Sequence, residues 1–133
     1  MKKLIVLTLL LCLFMGCQKK KTEFTYYCRQ PLDTNISNAT ADLEYILVVS
    51  ADYKQIISAE ETMLVVFQSA DLAQIAYNNL SIDSFNNTKS IELQDNTIVI
   101  LFDYGGREID NKEHFERLLG GLEEDDYVCE LAK

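Results

Sequence analysis

Few residues in this chain have the type and spacing to carry out a reaction. His114 is the one imidazole. Asp110 stands one helical turn before it and Glu113 beside it, which is the spacing of ordinary salt pairing on a helix. An HExxH metal site needs a second His, and the sequence has none. No serine sits in a GxSxG elbow. The four carboxylates Glu123, Glu124, Asp125 and Asp126 lack the alternating ligands and central glycine of a calcium loop, so they read as a solvated turn. Gly105-Gly106 fits neither GxxxxGK[ST] nor GxGxxG and reads as a turn that needs positive φ. With so many acids a pair for glycoside hydrolysis is always present by count, and only geometry would make it meaningful. The expectation is therefore no catalytic residue, no metal ligand and no cofactor.

Seven tyrosines (Tyr26, Tyr27, Tyr45, Tyr53, Tyr77, Tyr104 and Tyr127) are the one feature that suggests a binding face. Tyrosine suits interfaces because its ring is apolar and its hydroxyl polar. It is equally an ordinary sheet residue, which is the plainer reading of tyrosines spread over several elements. The chain sums 12 bases against 21 acids, a net charge of −9. Nucleic acid is excluded as a partner, because phosphate binding needs a positive face. Four N-x-S/T sequons begin at Asn35, Asn38, Asn79 and Asn86, in stretches rich in Asn, Ser and Thr.

The N-terminus reads as an address. Lys2-Lys3 precede an apolar run from Leu4 to Met15 that Thr8 alone interrupts. That run is too short to cross a hydrocarbon core, which takes about 20 residues, and has the architecture of an export signal. Its end, Leu13-Phe14-Met15-Gly16-Cys17, resembles the lipobox of bacterial lipoproteins. Phe14 stands where that family usually has Leu. The resemblance implies cleavage before Cys17 and a diacylglyceryl group on its thiol. The plainer alternative is a secretory signal cut near Gly16. The expected organisation is a signal over 1–16, a lipidated Cys17 with a polar tether over 17–23 that includes Lys19-Lys20-Lys21, and one domain over 24–133. Two or three acyl chains would make the membrane the first partner.

Cys12 leaves with the signal, so Cys28 and Cys129 remain near the two ends of the domain. An even pair in an exported chain reads as one disulfide, the alternative being two buried thiols. Neither belongs to a CxxC pair, which argues against redox catalysis and a zinc ribbon.

The elements follow from periodicity. Residues 24–29 are rich in β-formers, and 30–41 carry a loop signature around Pro31. Leu43, Tyr45, Leu47 and Val49 alternate as a strand. Residues 51–54 form a turn. Strands are expected over 55–59 and 62–67, although Ser58 with Glu61 also resembles a capping box. Ser69 caps a helix with a stripe of Leu72, Ile75, Ala76 and Leu80. A hairpin joins 90–93 to 97–103 through Gln94-Asp95-Asn96. Asp110 with Glu113 starts a second helix whose stripe is Phe115, Leu118, Leu119 and Leu122. Gly120-Gly121 marks its stop or a kink. Residues 127–131 form a last strand. The fold class is α+β: one mainly antiparallel sheet of about five to six strands, with two helices packed on one face.

Cys17, the hairpin at Ala51-Asp52-Tyr53-Lys54, and Tyr127-Val128-Cys129 answering Tyr26-Tyr27-Cys28 give a layout that resembles small bacterial lipoproteins of the YehR-like kind. The resemblance implies a membrane-tethered α+β domain and transfers no catalytic residue. The function expected is a lipid-anchored cell-envelope lipoprotein, in the cell membrane or the outer membrane. Its domain would be non-catalytic and would bind or scaffold an envelope protein. The alternatives are an envelope enzyme using clustered carboxylates, or a secreted inhibitor or host-facing factor.

Overall fold

The alternation from Leu43 to Val49 belongs to a long strand, and its neighbours on both sides are as long. The computed structural model describes residues 21–32 and 38–133. Cys17, the apolar run before it, and Lys19 and Lys20 lie outside them. The strands are β1 (Glu23–Leu32), β2 (Ala39–Ser50), β3 (Gln55–Phe67), β4 (Thr88–Gln94), β5 (Thr97–Asp103), β6 (Arg107–Glu108) and β7 (Val128–Leu131). Among the described residues the α-helices are α1 (Ala70–Asn78) and α2 (Lys112–Glu124), with a short 3-10 turn at Ile82–Ser84. The sheet runs β4-β5-β3-β2-β1-β7, with β6 also paired to β3, and every pairing is antiparallel. The expected α+β class, with its antiparallel sheet and two helices, is what the chain forms. Among the described residues the strand count reaches seven, because two-residue β6 carries no periodic signal of its own. Among the described residues, no helix is long and apolar enough to cross a membrane.

Directly paired residues stand side by side on one face of the sheet. One such row is Cys129, Cys28, Tyr45, Glu61 and Phe102. Hydrophobic clusters form on either side of it. Phe115 of α2 packs with Leu47, Val49, Ile56, Ala59 and Ile109. Ala73 of α1 packs with Phe67, Ile98, Ile100 and Phe102. Phe115 is 1% exposed, and emptying such a site costs about 3–5 kcal/mol.

Several local expectations are corrected. The 30–41 loop is shorter, because β1 runs through Leu32 and β2 starts at Ala39. Pro31 is tolerated in β1 because β7 pairs with residues 26–29 only, so β1 there has a neighbour on one side. The Ser58–Glu61 capping box does not form. Residues 55–67 are one strand, dominated in their second half by β-branched and aromatic side chains. Ser69 does cap α1, accepting from the Leu72 N–H. The α1 stripe is rotated, however. Ala73 is the buried residue, Ala76, Tyr77 and Leu80 pack beside it, and Leu72 and Ile75 face solvent. The cap of α2 is Asn111, which accepts from the His114 N–H at 2.9 Å, and not Asp110. The α2 stripe is as expected, but Gly120-Gly121 neither stops nor bends it out of register, since the helix runs on to Glu124.

Cys28 and Cys129 are bonded, with an S–S distance of 2.06 Å. They are direct partners across β1 and β7. Closing a loop of about 100 residues is worth roughly 4–5 kcal/mol on loop-entropy grounds.

Candidate functional site

The site grows from an irregularity in β3. The β2–β3 register shifts between Val48 and Val49, which pair with Ser58 and Ile56 and leave Ile57 as an extra residue. This bulge changes the phase of the strand, so that Ile56 and Ala59 are both buried although three positions apart. The chain on the other side of β3 must follow. After Asp103 pairs with Glu60, it regains the strand only where Arg107 pairs with Ile56. Tyr104-Gly105-Gly106 bridges that gap. Gly105 takes φ 68°. A Cβ at Gly106 would lie 2.7 Å from the carbonyl oxygens of both Ile56 and Ile57. The glycine pair therefore does not end the strand. It carries the chain past the bulge and sets Tyr104 and Arg107 beside Tyr45.

Between this crossing and α2 lies a cavity of about 310 Å³. Leu47, Ile56 and Ala59 form its floor, and Phe115, Leu118 and Leu122 of α2 form one side. Tyr45, Tyr104, Gly105 and Arg107 complete the wall. The size is at the low end for small-molecule sites, and the lining is mostly apolar with few polar groups, as such sites are. A roomier hollow of about 510 Å³ lies between residues 77–82 and 89–91. Asn78, Ser81 and Lys89 in its walls are solvent-exposed.

Behind the aromatic wall sits Glu61, a buried carboxylate only 9% exposed. It accepts a long hydrogen bond from the Tyr127 hydroxyl, 3.4 Å to Oε2. Tyr45 and Tyr104 stack with centroids 5.5 Å apart, and Tyr127 meets Tyr45 edge-on at 6.4 Å. The Tyr127 N–H donates to the Leu122 carbonyl, fixing this corner to α2. Burial pushes the Glu61 carboxyl above the usual range, and the Tyr127 hydrogen bond only partly opposes it. Burial also raises Tyr45 to about 12, with Tyr104 and Glu61 adding to the effect and Arg107 opposing it. Tyr104 and Tyr127 are raised by burial first and by the Glu61 charge second. A second tyrosine pair, Tyr26 and Tyr53, lies against Phe115 with hydroxyls 3.5 Å apart.

Of the residues singled out in the sequence, the structure brings together Tyr45, Tyr104 and Tyr127, and separately Cys28 with Cys129. Tyr27 lies apart, exposed on β1, and Tyr77, in α1, packs against the cluster around Ala73. His114 is half-buried near the start of α2. Its Nδ1 lies 3.3 Å from the Asp110 N–H and 3.2 Å from the Asp110 carboxylate. Glu123 and Glu124 form the last turn of α2 rather than a loop. Among the described residues, no three His, Cys, Asp or Glu side chains gather as a metal set.

Arg107 is not among the residues the sequence points to, and Glu61 is named there only as half of a capping box. Glu61 had a signal: it occupies the apolar alternation Ala59, Glu61, Met63, Val65, Phe67, so an acid is placed on the core side of a strand. Arg107 had none, because its position depends on the bulge in a strand distant in sequence. No known family, no curated protein and no solved structure matches this chain.

Proposed function

We propose that this chain is a lipid-anchored cell-envelope protein whose domain binds a small ligand in the α2 cavity and does not itself catalyse a reaction. The observation that carries the binding reading is the cavity: apolar floor, aromatic wall, and one cation at its mouth. The anchor rests on the lipobox-like end of the N-terminal run and on Cys17. The bonded Cys28–Cys129 pair supports an oxidising, extracytoplasmic location. Acyl chains on Cys17 hold the protein to the membrane, and its protein partners are other envelope components.

We also infer that both helices cover the same face of the sheet. Leu47 and Ala59, which α2 covers, are direct partners across β2 and β3. Moving in steps of two along β3 from Ala59 reaches Glu61, Met63 and Phe67, and α1 packs at that end. Tyr27, Leu64 and Val66 then lie on the opposite face, partly exposed, which is available to an envelope partner.

The ligand reading is tested by purifying the full chain from bacterial membranes, extracting it with organic solvent and identifying small molecules by mass spectrometry. A Leu118→Trp variant fills the cavity and is checked for an unchanged circular dichroism spectrum. A compound retained by the wild type and missing from the variant is expected. Identical extracts that respond to no added ligand contradict the reading.

A further inference from the structure

We infer that the α2 cavity takes a small anionic amphiphile, its apolar or aromatic body against Phe115 and Leu118 and its head group on Arg107. This rests on the proposed reading of the cavity as a binding site and names what the site selects.

The argument is one of charge placed against apolar surface. Arg107 is the charged residue among the cavity's lining, and the rest of the interior is aliphatic or aromatic. Its guanidinium makes no ion pair or hydrogen bond with any of the described residues. In the same structure Arg29 is paired with Glu44, Lys89 with Glu60 and Lys112 with Glu116. Other bases among the described residues, Arg117 and Lys133 for example, also make no such pair, but Arg107 is the base that lines the apolar hollow. Its backbone is fixed by pairing with Ile56 across the bulge, so its position is built rather than incidental. A planar guanidinium with several donors matches a carboxylate, sulfonate or phosphate head.

The competing ligand is a cation held by Glu61 and the tyrosines, since aromatic rings attract ammonium groups. The geometry opposes it. Tyr45 and Tyr104 are stacked on each other at 5.5 Å, with an interplanar angle of 10°, which leaves no space for an ammonium between them. Glu61 lies behind these rings and does not line the cavity. Arg107 lies on the cavity side and repels a cation there.

The test uses the full chain reconstituted in phosphatidylcholine vesicles, with protein-free vesicles subtracted. Octanoate, octanol and octylammonium are titrated by equilibrium dialysis. The chain has no Trp, so tyrosine fluorescence gives a second readout. Octanoate is expected to bind saturably, about one per chain, roughly tenfold more tightly than octanol, and octylammonium most weakly; this is the size of one charge-assisted contact. Arg107→Ala should bring octanoate down to the level of octanol and leave octanol unchanged, and Arg107→Lys should recover part of the difference. Leu118→Trp should abolish all three. Octanoate and octanol binding equally, octylammonium binding best, or octanoate binding that survives Arg107→Ala would overturn the head-group assignment, while the cavity reading would stand. If no probe binds saturably in a way that Leu118→Trp removes, the cavity reading itself fails.

Discussion

At the scale of residues, Glu61 and Gly106 are the positions where local preference and the fold disagree. Glu61 has the parity of a core residue and the chemistry of a surface one. Burial lifts its carboxyl in the folded state above the unfolded range, so the fold favours its protonated form. The stability this gives is complete below the unfolded carboxyl's pKa, about 4.3 for free Glu, and is lost as pH rises through the raised folded value. Glu61→Gln removes the titrating group. It should flatten the decline of Tm across that window and raise Tm above it, measured by thermal denaturation at stepped pH. A variant with the wild-type pH slope would show that Glu61 is not held against its charged form. Gly106 tests the bulge. A Cβ there meets two backbone carbonyls at 2.7 Å, and forced overpacking costs about 1–3 kcal/mol. Gly106→Ala should lose about that much, whereas Gly120→Ala, which has open space, should lose nothing and gain helix propensity. The misplaced charge at Glu61 was legible in the alternation of 59–67. The demand on Gly106 was not, because it comes from Ile57, half the domain away in sequence.

At the scale of elements, apolar period, β-rich composition and cap chemistry located the long strands and both helices, although β3 was expected in two pieces, 55–59 and 62–67, and they failed where two readings shared a period. The expected α1 stripe of Leu72, Ile75, Ala76 and Leu80 shares Ala76 and Leu80 with the observed one, which turns toward Ala73 and Tyr77 and leaves Leu72 and Ile75 exposed. Ala73, small and fully buried, allows the close approach to Phe67 and Ile98 that larger residues would prevent. A hydropathy pattern favours large residues and so turns the stripe toward Leu72 and Ile75. The α2 start was misplaced by one residue because Asp110 and Asn111 are both good caps. Asn111 makes the bond to the His114 N–H, while the Asp110 carbonyl accepts from Lys54 Nζ at 2.9 Å. Asn111→Ala should therefore cost about 1 kcal/mol. Asp110→Ala, which keeps that carbonyl and loses an exposed pairing with His114, should cost a few tenths. Urea denaturation distinguishes them, and equal losses would contradict the cap assignment. Gly120-Gly121 signalled a stop, yet Leu118, Leu119 and Leu122 hold α2 to the core. Burial across the pair outweighs a propensity loss of about 1 kcal/mol per glycine.

At the scale of the whole molecule, the row from Cys129 through Cys28, Tyr45 and Glu61 to Phe102 ties the account together. It joins the first and last strands by a disulfide at one end, and at its middle it sets the aromatic wall of the cavity. The pairing of the cysteines was legible from their number and from the signal-like run before them. The cavity was not, since it depends on how β3, the glycine crossing and α2 meet. The central claim is an exported, lipid-anchored domain closed by one disulfide. The most direct measurement is the intact mass of the full-length protein taken from bacterial membranes, with and without reduction before alkylation. The account predicts a mass for residues 17–133 plus acyl chains, with Cys28 and Cys129 alkylated only after reduction. A lipid-free mass, an uncleaved signal, or two cysteines that alkylate without reduction would contradict it.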